Sequence, residues 1–356
     1  MLSNKKKVFL ITSSLKFGGA ERVISELAAY FSGKDDLAVT IVCLVKEKQV
    51  YGVPKEVTII EPDFDYKQYS RPIFTFKIYR YLRKILKMER PDTLLSFGGK
   101  YNSFVLLAAL GLKIPSFISD RSRPTISYGK IKDMINARLY KTARGIVAQT
   151  TLAKEVSLKK NKNPNVRVIS NPIRMVVKAD VPKENIILNV GRFIKSKHQI
   201  LLAEYFAAVH DGNWKLIFLG DGRYLEEVRV RVKELGIEEW VDFPGMKQDV
   251  DSYYRRAKIF AFTSTSEGFP NVLGEALSVP LACMSFNCVA GPADLIEDGV
   301  NGFLVEELNH EAYKNKLQRL MQDASLRKDF ENEAEKRIRN FTMEQIGEQY
   351  LNFILP

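Results

Sequence analysis

The stretch Thr263–Pro280 reads T-S-T-S-E-G-F-P-N-V-L-G-E-A-L-S-V-P. A short apolar run precedes it, Gly268 and Pro270 interrupt it, and helix-forming residues at helical spacing follow. This order predicts a strand, a tight turn and a helix. A turn of this kind directs the N–H groups and the positive dipole end of a helix at one point, so it predicts a site for an anionic group.

Two carboxylates flank the predicted anion site. Glu267 lies in the turn and Glu275 lies inside the following helix. A carboxylate accepts hydrogen bonds and repels phosphate, so we expect these side chains to hold sugar hydroxyls. The alternative is an ordinary helix start with a surface glutamate at each end, and the local stretch leaves both interpretations open.

The bulk composition is typical of a soluble globular protein with two domains. The chain has 356 residues, 46% of them hydrophobic and 27% charged, and the mean hydropathy is −0.16. Domains commonly hold about 100–200 residues each. The three cysteines follow no metal or redox spacing, which favours a reducing compartment. No apolar run approaches the ~18–20 residues of a membrane span.

Positive charge is concentrated in the first half of the chain. Residues 1–174 carry a net charge of +18 and residues 175–356 carry −6, which together give the overall +12. Residues 71–90 predict a basic amphipathic helix with an apolar stripe and a stripe made of Lys77, Arg80, Lys84 and Lys87. The stripe is either an ordinary solvated face or a face that rests on anionic lipid headgroups, and the two are compatible.

Strands and helices alternate through two similar halves. The lysines at 5–7 and the run Val8–Leu15 imitate a signal peptide, but the run is short and polar in part, so we interpret it as the first buried strand. The pattern restarts at Asn185, after a predicted hinge at Asn171-Pro172. This pattern predicts two α/β sheet domains facing across a cleft, with ligand loops at the carboxyl ends of strands.

The strand-end loops of the second half offer what a sugar nucleotide requires. Arg192 and Lys197 are cations with reach for a diphosphate, and the helix start at Asn271–Leu273 offers N–H groups to the same diphosphate. We expect Glu275 to take the ribose hydroxyls and Glu267 the hydroxyls of the transferred sugar. In the first half, Gly18-Gly19 and Asp120-Arg121 occupy strand ends.

With these residues the chain resembles the family-4 retaining glycosyltransferases (glycosyl transferases group 1) of the GT-B architecture. The resemblance covers nearly the whole sequence and rests on the following motifs: Gly18-Gly19-Ala20-Glu21-Arg22, Ser170-Asn171-Pro172, Gly191-Arg192 with Lys197, Gly220-Asp221-Gly222, Glu267-Gly268-Phe269-Pro270-Asn271-Val272 with Glu275, Gly291-Pro292, and Asp298-Gly299-Val300-Asn301-Gly302-Phe303-Leu304-Val305. It implies an acceptor-binding domain at 1–172, a donor-binding domain at 173–340, and a C-terminal helix at about 341–356 that packs back on the first domain.

The resemblance also implies roles for single residues. Glu267, Arg192 and Lys197 are the implied catalytic residues. The implied donor-binding residues are Gly19, Gly191, Gly220, Gly245, Met246, Phe269, Asn271, Val272, Leu273 and Glu275. Gly18, Asp120 and Arg121 are the candidate acceptor-binding residues.

Three departures from the family pattern stand out. His198 occupies a position where many relatives have glycine, and Gly274 replaces a more usual apolar residue inside a helix. All three histidines lie in the second half, so none can serve as a base in the first. The retaining mechanism implied by the family does not need one, because the leaving diphosphate takes the acceptor proton.

The sequence therefore predicts a bacterial, metal-independent hexosyltransferase without a cofactor. It would move a hexose or N-acetylhexosamine from a UDP-sugar to a glycan or polyprenyl-diphosphate-linked acceptor in polysaccharide or lipopolysaccharide biosynthesis. We expect a cytoplasmic protein, peripheral at the inner face of the cytoplasmic membrane, whose basic N-terminal domain contacts anionic lipid. The D-x-D spacings at 63–65 and 249–251 are interpreted as chance. The alternatives are a sugar-nucleotide epimerase of the same fold and a basic nucleic-acid-binding protein; we expect no nucleic acid as partner.

Overall fold

A computed structural model describes residues 5–16, 18–121 and 123–355. The chain divides into two compact units. Unit 1 comprises Met1–Pro172 and Met343–Pro356, and unit 2 comprises Ile173–Thr342. The first boundary falls directly after the Asn171-Pro172 dipeptide.

The sheet of unit 1 is parallel, in the order β3-β2-β1-β4-β5-β6-β7. Its strands are β1 (Lys6–Thr12), β2 (Leu37–Cys43), β3 (Thr58–Ile60), β4 (Thr93–Phe97), β5 (Ser116–Ser119), β6 (Gly145–Ala148) and β7 (Val166–Val168). β1 begins earlier and ends earlier than the predicted Val8–Leu15. Lys6 and Lys7 pair with Leu37 and Ala38, so the hydrogen-bond ladder sets its limits rather than hydropathy.

The helices of unit 1 cover both faces of this sheet. They are α1 (Gly19–Ser32), α2 (Arg71–Glu89), α3 (Asn102–Ala109), α4 (Lys130–Tyr140), α5 (Thr151–Asn161) and the C-terminal α13 (Met343–Ile354). On one face α1 packs against α13, and on the other α2, α3, α4 and α5 follow one another in contact. In α2, Ile78, Leu82 and Leu86 are buried against the sheet.

The basic stripe of α2 is not uniform. Lys77 lies over the rings of Phe64 and Tyr69, with its Nζ 5.2 and 4.6 Å from the two centroids. Arg80, Lys84 and Lys87 are exposed. Lys77 is therefore part of the packing, because its stem and charge are held by aromatic faces.

The C-terminal helix docks on α1 through both shape and charge. A side chain at Gly347 would overlap the ring of Tyr30, so the two helices approach closely there. The carboxylate of Glu348 accepts hydrogen bonds from the Tyr30 hydroxyl at 2.7 Å and from Lys34 Nζ at 2.5 Å.

The sheet of unit 2 is also parallel, in the order β10-β9-β8-β11-β12-β13. Its strands are β8 (Ile186–Val190), β9 (Lys215–Leu219), β10 (Val241–Gly245), β11 (Ile259–Phe262), β12 (Ala282–Phe286) and β13 (Phe303–Val305). Every residue of β8, β11 and β12 is buried, which is the pattern of parallel strands covered on both faces.

The helices of unit 2 are α6 (Gln199–Val209), α7 (Leu225–Glu234), α8 (Asp251–Arg256), α9 (Asn271–Leu277), α10 (Pro292–Leu295), α11 (His310–Gln322) and α12 (Ala324–Ile338). The predicted strand, turn and helix around Thr263–Pro280 correspond to β11, the turn 263–270 and α9.

In each sheet the strand order reverses at one point. The chain winds outward from β1 to β3 and resumes on the other side of β1 with β4, and it does the same at β8 and β11. In open α/β sheets such switch points open a crevice at the carboxyl ends of the strands, where ligands bind. In unit 2 the loops after β8 and β11 are the ones that carry Lys197 and Glu267.

Candidate active site

Lys197 and Glu267 meet at the switch point of unit 2. Lys197 Nζ lies 2.5 Å from Glu267 Oε1, and the side chains are only 16% and 12% exposed. The same ammonium lies 4.8 Å from the centroid of the Phe262 ring. The sequence assigned these two residues to different parts of a donor, and the fold joins them in one largely buried ion pair.

Hydroxyl side chains hold the two loops together. Thr263 Oγ1 donates to the carbonyl of Lys197 at 2.8 Å, and Ser264 Oγ donates to the carbonyl of Ser196 at 3.2 Å. The N–H of Thr265 donates to the same Ser196 carbonyl at 2.9 Å. The Thr-Ser-Thr run that opens the motif therefore fixes the position of the lysine backbone.

His198 adopts a left-handed conformation, with φ 49° and ψ 41°. Glycine adopts this conformation without steric cost, which explains the glycine expected at this position. The His198 ring lies with Nε2 3.1 Å from Thr265 Oγ1, a contact that links the two loops again. Burial lowers the pKa of His198, which favours the neutral ring.

Glycines line the carboxyl ends of β8, β9 and β10. Gly220 has φ +147°, and any side chain there would overlap the carbonyl oxygen of Gly191. The Gly220 N–H donates to the carbonyl of Gly245, which has φ +77°. Met246, the next residue, is 72% exposed. Gly220 is therefore required by the close approach of two loop backbones. A Cβ at Gly245 would meet no atom within 4 Å, so that strand end leaves room for a ligand.

Glu275 is buried among polar partners that the sequence did not indicate. Its side chain is 7% exposed, and its Oε2 lies 3.5 Å from Arg174 Nη2 and 3.3 Å from the hydroxyl of Tyr254. Arg174 also pairs with Asp251, at 2.7 Å between Nη1 and Oδ1. Burial, and then the charge of Glu275, raise the pKa of Tyr254 well above its usual value.

No local pattern pointed to this cluster. Arg174 follows the hinge, and Asp251 belongs to a D-x-D spacing interpreted as chance. The signal that could have indicated it was the position of Glu275 inside a predicted helix. A carboxylate that faces the inside of a protein requires a cation as its partner.

Two of the N–H groups at the start of α9 that the sequence predicts to bind a diphosphate donate hydrogen bonds within the chain. The N–H groups of Asn271 and Leu273 donate to the carbonyls of Phe269 and Pro270, at 3.1 and 3.0 Å. Phe269 is buried, with its ring 6.4 Å from that of Phe341, and Leu273 is also buried, while Val272 is half-buried. Phe269 and Leu273 thus pack the turn onto unit 2.

Gly274 is required by packing. A side chain at this position would overlap the Cδ1 atom of the buried Ile173. The close contact presses α9 against the first residue of unit 2 and explains a glycine inside a helix.

Arg192 is exposed on the loop after β8, five residues before Lys197. Its carbonyl accepts a hydrogen bond from Gln199 Nε2 at 3.1 Å. The backbone of this loop is therefore anchored while the guanidinium faces solvent.

In unit 1, Gly18 and Gly19 lie where β1 leads into α1, and Asp120 follows β5. Asp120 lies beside Gly99, since a Cβ there would be 2.6 Å from Asp120 Oδ1 and 2.8 Å from the Tyr128 hydroxyl. These residues share the carboxyl edge of one sheet, at and beside its switch point between β1 and β4.

Arg121 has partners inside unit 1. Its guanidinium lies 4.8 Å from the Phe97 ring centroid, its Nη1 donates to the Tyr350 hydroxyl at 3.0 Å, and its Nη2 donates to Asn171 Oδ1. Gln149 Nε2 donates to the same oxygen at 2.7 Å. These contacts connect β5, the hinge and α13; the acceptor contact of Arg121 stays a prediction.

Two family sequence models together span most of the chain. The model described as glycosyl transferases group 1 matches residues 174–337, and the model described as glycosyltransferase family 4 matches residues 17–175.

Similar proteins span the same length as this chain. A Campylobacter jejuni subsp. jejuni protein named GalNAc-alpha-(1->4)-GalNAc-alpha-(1->3)-diNAcBac-PP-undecaprenol alpha-1,4-N-acetyl-D-galactosaminyltransferase is 29% identical over 358 residues, which cover 98% of each sequence. Two solved structures each align over 98% of both chains with a TM-score of 0.80. One is lipopolysaccharide outer core galactosyltransferase WaaB, apo form, at 22% identity, and the other is Anabaena Alr3699/HepE in complex with UDP, at 17% identity.

The two structural likenesses and the two parallel sheets confirm the predicted α/β fold of GT-B type. The two sequence models confirm the predicted family. The chain belongs to the glycosyl transferases group 1, and it is a glycosyltransferase.

Proposed function

We propose that the protein is a retaining hexosyltransferase that takes its sugar from a UDP-sugar. The observation that carries the proposal is the Lys197–Glu267 pair at the switch point of unit 2, beside strand ends lined by glycine. A cation at this place suits a diphosphate, and a carboxylate next to it suits the hydroxyls of the attached sugar. The HepE structure shows that a protein of this fold binds UDP.

The donor lies along the carboxyl edge of the unit 2 sheet in this proposal. Lys197 and the exposed Arg192 bind the diphosphate, and Glu267 accepts hydrogen bonds from the sugar. Glu275, held by Arg174, accepts hydrogen bonds from the ribose hydroxyls. The turn at Gly245 and Met246 adjoins the base.

The transfer step needs no protein base in the first half. The bond between the anomeric carbon and the diphosphate oxygen breaks, and the acceptor oxygen bonds to the same face of that carbon. The acceptor proton passes to the departing diphosphate. Lys197 and Arg192 stabilise the negative charge that develops there, which is the effect of preorganised charge on a leaving group.

The reaction proceeds without a metal ion in this proposal. Both D-x-D spacings have other partners: Asp65 caps a helical turn through the N–H of Lys67, and Asp251 pairs with Arg174. The cations Lys197 and Arg192 supply the stabilisation of the leaving diphosphate that a divalent ion would otherwise give.

The acceptor is a lipid-linked or oligosaccharide glycan of a surface polysaccharide, bound by unit 1 near Gly18 and Asp120. The Campylobacter relative is named for an undecaprenol-diphosphate-linked acceptor, and WaaB for lipopolysaccharide. The exposed cations Arg80, Lys84 and Lys87 of α2 support peripheral contact with anionic lipid at the inner face of the membrane. No helix among the described residues is long and apolar enough to span a bilayer.

The epimerase alternative has little support in the geometry. His198 contacts Thr265, His210 lies between Phe206 and Trp240, and His310 contacts Tyr205. Each of these histidines is tied to unit 2 by a side-chain contact.

Thermal unfolding with nucleotides tests the donor assignment. We expect UDP and a UDP-sugar to raise the melting temperature more than ADP or GDP do. Glu275→Ala should reduce the shift, and Glu226→Ala, an exposed site on α7, should not. The anomeric configuration of the product, read by NMR, tests retention. The absence of a shift with any nucleotide would reject the proposal, and binding to DNA without binding to UDP would favour the nucleic-acid alternative.

A further inference from the structure

A cavity of about 270 Å³ lies within unit 1, between β6 and the helices α4 and α5. Most of the surface that lines it is apolar, with contributions from Ile126, Ala137, Val147 and Val156, although half of the lining residues are polar or charged. Asp120, the predicted acceptor contact, stands at its polar side. This volume is just below the ≈300–1,000 Å³ of binding sites for drug-sized molecules, so the cavity has room for only part of a lipid chain.

The segment 123–129 closes one side of the cavity and is tied down by charged side chains. The carboxylate of Asp133 accepts hydrogen bonds from Ser127 Oγ at 2.5 Å and from the N–H of Tyr128 at 3.0 Å. Lys160 Nζ lies 3.4 Å from the carbonyl oxygens of Pro124 and Ile126. Because these bonds hold the segment from α4 and α5, the space behind it stays open.

The outer face of α4 is apolar and basic. Ile131, Met134 and Ile135 share that face and are 73%, 50% and 45% exposed. Lys130, Lys132 and Arg138 are exposed on the same helix. Adjacent exposed apolar side chains mark an interaction site, and flanking cations suit a ligand that combines a hydrocarbon with phosphate.

We propose that this cavity receives the isoprenoid units next to the diphosphate of a polyprenyl-diphosphate-linked acceptor. Lys132 lies beside the closing segment, with its Nζ 5.1 Å from the centroid of the Tyr128 ring, and Lys160 contacts the carbonyl oxygens of Pro124 and Ile126. An ammonium group has three donors, so both lysines can also bind the diphosphate. A sugar would leave most of its hydroxyls against apolar walls, which is unfavourable. The inference rests on the proposed function and adds a site for the lipid of the acceptor, with Asp120 beside it for the glycan.

The probe for this site is geranylgeranyl diphosphate, titrated calorimetrically below its micelle concentration into the full chain. We expect it to bind at least about 10-fold more tightly than inorganic diphosphate, because burying two methylene groups already has that effect. Palmitoyl phosphate is the comparison for an acyl chain. Binding as tight as that of geranylgeranyl diphosphate would overturn the isoprenoid assignment.

Two substitutions fill the cavity from different helices, so the test does not depend on one variant folding. Ala137→Phe on α4 and Val156→Phe on α5 should each weaken the binding of geranylgeranyl diphosphate by about 10-fold or more. Ala29→Phe on α1, away from the cavity, is the matched control. The UDP-induced thermal shift should stay unchanged in all three variants.

Unchanged geranylgeranyl diphosphate binding in both cavity variants would reject the site. Loss of the UDP shift in the unmodified protein would instead reject the proposed function, so the two failures can be told apart.

Discussion

The guanidinium of Arg174 lies 3.5 Å from the carboxylate of Glu275, although 101 residues separate them in the chain. Arg174 is the second residue of unit 2, and Glu275 lies inside α9. The segment that follows the hinge therefore provides the cation that holds the carboxylate proposed to bind ribose.

Arg174→Met should weaken UDP binding and lower stability. The substitution leaves the Glu275 carboxylate buried without its cation, and since Arg174 is itself 37% exposed we expect a loss of about 1–2 kcal/mol. Arg256→Met, which breaks the exposed pair with Glu184, should cost less than about 1 kcal/mol. Urea unfolding and UDP titration measure the two effects. A loss in Arg256→Met as large as that in Arg174→Met would contradict the role of burial.

Lys197→Met should mainly lower the affinity for UDP, and Glu267→Gln should mainly lower kcat. Loss of the ammonium removes a charged hydrogen bond to the diphosphate, so UDP affinity should fall by about 10–100-fold. Loss of the Glu267 charge should leave UDP affinity within about 3-fold and lower kcat by roughly 100-fold. Calorimetry with UDP and steady-state rates with a UDP-sugar distinguish the variants. The assignment fails if Glu267→Gln weakens the binding of UDP as much as Lys197→Met does.

Gly220→Ala should destabilise unit 2 far more than Gly212→Ala. Both glycines have positive φ, 147° and 79°, but only at Gly220 would a Cβ meet the carbonyl of Gly191. We expect Gly212→Ala to lower the free energy of unfolding by about 1–2 kcal/mol, because of conformational strain, and Gly220→Ala to lower it by at least about 3 kcal/mol. Denaturant unfolding gives both values. Equal losses would show that the two backbones can separate, and that the glycine is not required for close approach.

Docking of α13 should weaken in acid. The hydrogen bonds from Lys34 and then Tyr30 hold the pKa of Glu348 below its usual value. A lowered pKa means that this contribution is present above the ordinary carboxyl value of 4.5 and is lost as the pH falls through the lowered pKa. Hydrogen exchange of residues 343–354 should therefore show reduced protection in acid. Glu348→Gln should remove that dependence, whereas Glu344→Gln, on the exposed side of α13, should retain it.

Much of the architecture follows from local sequence. The apolar runs that became β8, β11 and β12 are buried throughout, and such runs are characteristic of parallel strands. Gly268 and Pro270 mark the turn before α9 because neither residue continues regular structure. The patterns that produce buried strands and turns extend over only a few neighbouring residues. The sequence pattern is therefore enough to predict these elements.

The pairing of side chains from distant loops needed the fold. Lys197 and Glu267 meet because β8 and β11 are neighbours in the sheet, and strand order is not encoded in the period of either strand. For the same reason Arg121 turned out to contact Tyr350 of the C-terminal helix.

By itself, then, the sequence determined the alternation of strands and helices, the family motifs and the residue types at each strand end. Only the tertiary structure decided that Arg174 supports Glu275, that Ile173 leaves no room for a side chain at position 274, and that a cavity lies behind α4. The physical reason is that these features depend on the distance between atoms brought together by packing, and local propensities carry no information about that distance.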